Sequence, residues 1–190
     1  MTSVILNYAK KIKETLPPTK KPTQNLSNAM KFKTSLDYLA RIVTIGVTIL
    51  FAAIIIAQIL ILKDNYSSIS IFTIAALLLL YFGTYAYRPV SYMLTDNEVI
   101  IHRPLFDKKI ARSEIKSVEQ LVNGELKWAI RTFGVGGLFG YFGRFAKGNI
   151  GSMIWYATRR DKAVLIKTTS NQNIIVTPDD YEKFVAELRR

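Results

Sequence analysis

The sequence predicts a two-helix membrane hairpin followed by a small, mainly-β barrel that a C-terminal α-helix closes. Three observations carry this expectation. Two uncharged apolar runs, residues 42–62 and 69–87, stand almost back to back. After them the pattern changes to short alternating stretches broken by turn residues, as in an antiparallel β domain. The final residues return to helical spacing behind a Pro-Asp-Asp start.

The first run holds 21 residues without a charge. As a helix it would span about 31 Å, matching a hydrocarbon core of ~30 Å. The second holds 19 and extends back to residue 67 without adding charge. The formal net charge of +12 is divided unevenly along the chain. Residues 1–41 carry eight Lys/Arg against Glu14 and Asp37, and residues 88–190 carry 17 against 11 acids. Between the runs, Lys63 is balanced by Asp64. The positive-inside bias then puts both termini in the cytoplasm and the short loop outside, a multi-pass protein of the cell membrane. The chain divides into a cytoplasmic basic arm over 1–40, the hairpin over 41–87 and a β domain over 88–190. No signal-peptide core precedes the runs: Lys10, Lys11 and Lys13 follow the short apolar stretch at residues 4–9 rather than lead it. With no cysteine, disulfides, thiol nucleophiles and thiolate metal sites are excluded.

Within the arm, Ile5, Tyr8, Ala9, Ile12 and Leu16 share one helical face, with Lys10, Lys11 and Lys13 off it. An interfacial helix and a disordered tail fit this pattern equally. Pro17, Pro18 and Pro22 mark an extended linker, and polar and basic residues continue to Arg41. In the hairpin, Gly46, Ala53, Ala57, Ala75 and Ala76 permit close helix contact. No ionisable residue lies inside either span, which argues for an anchor and against a proton or ion pathway. Tyr81, Phe82, Tyr85 and Tyr87 form an interfacial aromatic belt.

Arg88 and Pro89 end the second helix. Strands are expected over residues 90–95, 99–103, 108–112 and 115–121, with Asp96-Asn97-Glu98 and Asn123-Gly124 as turns. Residues 163–169 and 173–176 read as a late hairpin. Thr177 is the expected cap of the last helix, with Pro178 in its first position and Asp179 and Asp180 suiting its dipole. Tyr181, Phe184, Val185 and Leu188 then make an apolar stripe.

Several segments together resemble the bacterial pleckstrin-homology (PH)-like domains of small membrane proteins. They are Tyr92-Met93-Leu94-Thr95-Asp96, the glycine- and aromatic-rich segment 131–151, Trp155-Tyr156-Ala157-Thr158, and the ending from Val176-Thr177-Pro178-Asp179-Asp180 to Phe184. The resemblance covers roughly residues 88–190 and implies a bent barrel of about seven antiparallel strands with a C-terminal helix, in a bacterial inner membrane. It implies no settled activity, because this fold hosts lipid binding, peptide binding and scaffolding alike. PH domains that hold phosphoinositides place basic residues around the first strand loop. The corresponding Asp96-Asn97-Glu98 is short and acidic, which argues against that route.

Seven of the ten glycines fall between Gly134 and Gly151, threaded with Phe133, Phe139, Tyr141, Phe142 and Phe145. A nucleotide loop fails on spacing, since Phe139 stands where a third glycine would be and no Gly-Lys-Ser/Thr follows. Two readings fit: tight turns with aromatics filling the core, or an exposed loop that inserts Leu138, Phe139, Phe142 and Phe145 into an interface. Arg131, Arg144, Lys147, Arg159 and Arg160, with Phe139 and Phe142, are the candidate lipid- or partner-binding residues. Each nearby cation adds about 1 kcal/mol of attraction to an anionic leaflet. Nucleic acid is disfavoured because the basic residues are scattered. The single histidine, His102, lies in a strand pattern, and no catalytic constellation, metal set, cofactor or small-molecule substrate emerges. The reading is a non-enzymatic membrane protein that displays its β domain for a protein partner, self-assembly or membrane lipid. The alternative is an auxiliary intramembrane subunit of a transporter or enzyme complex.

Overall fold

The computed structural model describes residues 29–64, 67–121 and 124–190. The segment expected as an amphipathic helix, the proline linker and Asn123 lie outside the described residues. Helices α1 (Tyr38–Asp64) and α2 (Ser68–Tyr87) are both long and apolar enough to cross a membrane. They meet where the Thr48 and Tyr81 hydroxyls lie 3.0 Å apart and Phe51 packs on Tyr81. α1 starts a turn before the uncharged run because the Asp37 carboxylate accepts the Ala40 N–H at 2.7 Å.

Between the proline linker and α1, where only polar and basic chain was expected, the structure holds a strand. Met30–Lys33 forms strand β1, paired antiparallel with β2 (Ser91–Leu94) on the far side of the hairpin. The reason is Phe32, an apolar residue between two lysines. It is buried and packs edge-on against Phe184 with ring centres 5.1 Å apart. The first sheet then runs β1-β2-β3-β4, with β3 at Glu98–His102 and β4 at Lys108–Ala111. A 3-10 turn, Arg112–Glu114, leads into the second sheet.

That sheet holds β5 (Ile115–Leu121), β6 (Ile130–Gly137), β7 (Gly140–Lys147), β8 (Gly151–Ala157), β9 (Ala163–Thr168) and β10 (Asn173–Val176). Its order is β5-β9-β10-β8-β7-β6. The mainly-β domain ending in a helix is the architecture expected, but its detail differs. The described residues form ten strands, and β8 and β10 pair in parallel because the β9–β10 hairpin slots between β5 and β8.

Both faces of the second sheet are covered, which explains the continuous apolar runs of β9 and β10. Val164, Ile166, Ile174 and Val176 face the first sheet and join Tyr92, Ile101 and Phe184 in the barrel core. Leu165 and Ile175 face the other way and join Tyr141, Phe145, Trp155 and Leu126. Ala40 of α1 is wholly buried in this second cluster, so the first turn of the helix belongs to the β domain.

Helix α3 (Tyr181–Leu188) covers the barrel with Phe184, Val185 and Leu188, as its stripe predicts. Its cap is Asp180, whose side chain accepts the Lys183 N–H, and not Thr177. Thr177 is buried and otherwise engaged. Its N–H donates to the Tyr92 hydroxyl (3.1 Å), its hydroxyl accepts the Thr158 N–H (2.9 Å), and its carbonyl accepts from the Thr34 hydroxyl (2.7 Å). Burial pushes the Tyr92 phenol above its ordinary pKa, so it stays a neutral donor to the Tyr156 carbonyl at 2.6 Å. Asp179 accepts from the Ser35 hydroxyl at 2.7 Å rather than serving the helix end. These bonds stitch the chain before α1 to the strands that follow α2.

Candidate functional site

The glycine-aromatic segment forms the β6–β7 hairpin. Gly134 and Gly143 are directly opposed, both with positive φ, and a Cβ on either would run into the carbonyl of Phe142 or Phe133. Glycine there lets the two strands approach and coil sharply. The turn, Leu138-Phe139, wedges against the hairpin. Phe139 has φ of 58°, and its N–H donates to Thr44 Oγ1 at 2.9 Å. Its ring packs edge-on against Tyr81 and Tyr85, with centres 5.1 and 5.5 Å away. Contacts with both helices hold a backbone conformation unusual for an aromatic residue.

Beside this wedge lies a cleft of about 750 Å³ between α2 and the β6–β8 strands. Leu79, Leu80 and Gly83 of α2 form one wall; Phe142, Ile154 and Tyr156 form the other. Arg103 and Arg144 line it, with no acidic residue among the described lining residues. Pairing of Phe142 with Tyr156 and of Arg144 with Ile154 puts these side chains on one face of the sheet. Because Tyr156 also touches the barrel core, the cleft continues the barrel interior. Burial raises the Tyr156 pKa, against the opposing pull of Arg103, so its phenol is neutral. Arg103 is held at the junction. Its Nε–H donates to the Phe106 carbonyl at 2.6 Å, and its guanidinium lies over the Tyr87 and Tyr156 rings. It also borders a second hollow of about 510 Å³ that includes Lys31, Arg88 and His102.

The β3–β4 loop completes the arrangement. The Leu105 N–H donates to the Ala86 carbonyl, one of the acceptors left open at the end of α2. Asp107 closes the loop, accepting from the Arg103 N–H at 3.2 Å and meeting His102 Nδ1 at 3.0 Å. His102 therefore has a structural partner. Leu105 and Phe106 are left 52% and 62% exposed beside the end of α2.

The candidate residues are not brought together. Phe139 and Phe142 are buried, the first against the helices and the second in the cleft wall, and Phe145 is in the second core. Of the two readings of the segment, tight turns with packed aromatics describe Phe139, Phe142 and Phe145, and the exposed inserting loop does not. Phe133, on edge strand β6, is the exposed aromatic of the segment. Arg144 lines the cleft, and Arg131 is exposed and lies along Gly136. Lys147 bonds the Glu125 carbonyl. Arg159 pairs with Asp161 at 2.7 Å and Asp179 at 3.1 Å, its hydrogen bond to Asp161 holding that carboxyl below the usual range. Arg160 stacks over Tyr141, on the sheet face opposite the cleft. Sequence reasoning missed Leu105 and Phe106. Their signal was an apolar pair in a turn flanked by Arg103, Lys108 and Lys109.

Two bent sheets around one core, a closing helix and an apolar helical pair define a PH-class β domain carried on a hairpin of two candidate membrane spans. The chain belongs to the bacterial PH domain family, whose sequence pattern matches residues 90–190. Comparison with curated proteins and with solved structures gave no match.

Proposed function

We propose that the protein is a non-enzymatic module that holds its PH-family domain at a fixed height on the cytoplasmic leaflet and binds anionic lipid there. The observation that carries this reading is the β3–β4 loop. Its hydrogen bond to Ala86 sets exposed Leu105 and Phe106 at the level where α2 leaves its apolar run, with Lys108 and Lys109 following. Apolar residues beside cations at that height suit the interface between acyl chains and anionic headgroups. The cytoplasmic side is supported by the basic flanks of the hairpin. The non-enzymatic reading is supported by the structural engagement of His102, Asp107, Asp161 and Asp179.

The test uses the cysteine-free chain. Phe106→Cys carries an environment-sensitive fluorophore in nanodiscs of phosphatidylglycerol and phosphatidylethanolamine, with Ser170→Cys in the turn at the opposite end of the sheet as reference. The Phe106 label should be blue-shifted and quenched by spin-labelled lipid, and the Ser170 label should not. Equal, water-like spectra at both sites would defeat the reading.

A further inference from the structure

We infer that the cleft between α2 and strands β6–β8 holds one anionic phospholipid drawn sideways from the leaflet, with its phosphate between Arg103 and Arg144. The inference rests on reading α2 as a membrane span whose β-domain end lies in the cytoplasmic leaflet.

The walls of the cleft select the occupant. Leu79, Leu80 and Gly83 belong to the uncharged run of α2, so the cleft floor continues the surface that meets hydrocarbon. Leu79 is 78% exposed there. Two guanidinium groups, those of Arg103 and Arg144, also line it, without an acidic residue among the described lining residues. Among the described residues, Arg144 has no carboxylate partner, and Arg103 spends its Nε–H on Phe106 while its remaining donors stay available. A volume of about 750 Å³ falls within the ~300–1,000 Å³ of small-molecule sites. An apolar floor leading to unpaired arginines matches a molecule that is apolar at one end and phosphate at the other. Guanidinium forks suit phosphate oxygens in particular. A soluble anion would leave the apolar wall uncovered, and a neutral chain would leave the arginines without a counter-charge. Gly83 supplies the room, since a Cβ there would meet nothing within 4 Å.

The full chain is reconstituted in nanodiscs of mixed phosphatidylglycerol and phosphatidylethanolamine, released into detergent and weighed by native mass spectrometry. One retained phosphatidylglycerol per chain is expected, enriched over the nanodisc composition. Gly83→Leu, which projects a side chain into the cleft from the α2 wall, should lower retention. Arg144→Gln should lower the preference for phosphatidylglycerol about five-fold, the factor equivalent to about 1 kcal/mol for one cation near an anionic lipid. A chain that retains no lipid, that retains both lipids in the supplied ratio, or whose two variants retain lipid like the parent would overturn the inference. So would displacement of the bound lipid by soluble glycerol phosphate. The Phe106 label separates the failures: it remains quenched if only the cleft is empty, and loses quenching if the leaflet reading itself is wrong.

Discussion

On one face of β7, Tyr141 and Phe145 lie against Trp155, whereas on the other Phe142 and Arg144 line the cleft. Phe145 stacks on Trp155 with ring centres 4.2 Å apart, and Arg160 covers Tyr141 from outside. Residues one position apart thus serve packing and an open hollow in turn. The aromatic content of the segment is therefore a poor guide to its role, and the alternation of a strand is the better one.

The largest expected effect breaks the packed face. Phe145→Ala should cost about 3–5 kcal/mol by opening a cavity under Trp155, seen as a lower thermal midpoint in nanodiscs. Next, Gly143→Ala should cost roughly 1–3 kcal/mol by forcing a Cβ onto the Phe133 carbonyl at positive φ, measured in the same way. A smaller effect concerns the Arg159–Asp161 pair beside Arg160. Because the folded pKa of Asp161 is lowered, its stabilisation is full above the ordinary carboxylate value of about 4 and is lost as pH falls through the depressed value. Asp161→Asn should remove that part of the acid sensitivity, under about 1 kcal/mol for a carboxylate whose side chain is 40% exposed. It is read from thermal midpoints between pH 7 and the acid limb. Smallest of all, Arg144→Gln on the cleft face should change stability by less than about 0.5 kcal/mol. A large loss there would mean that the two faces are not distinct in kind.

The elements legible in the sequence were those with local periodicity: the apolar runs, the alternating strands β2 to β5, the β9–β10 hairpin and the stripe of α3. β1 was not legible because Met30-Lys31-Phe32-Lys33 is short, and its partner β2 lies across the whole hairpin. Thr177 looked like a cap because nothing local shows that Tyr92, Thr158 and Thr34 claim its polar groups. The cleft was illegible for the same reason. Gly83, Arg103 and Arg144 are distant in sequence and meet only when the β6–β7 turn seats on the helices. Leu105 and Phe106 form a pair without a period, so only their exposure beside Ala86 singles them out.

The pairing of β1 with β2 also sets an order of events. The two strands leave the ribosome separated by both apolar helices, so the first sheet gains its last strand only after the whole segment between them has been synthesised. Pairing residues so far apart in sequence carries a larger loop-closure cost than the local hairpins of the second sheet. Until the two strands pair, β2 offers a bare edge and the barrel core lacks Phe32. Closure of the sheet thereby joins chain made before both helices to chain made after them.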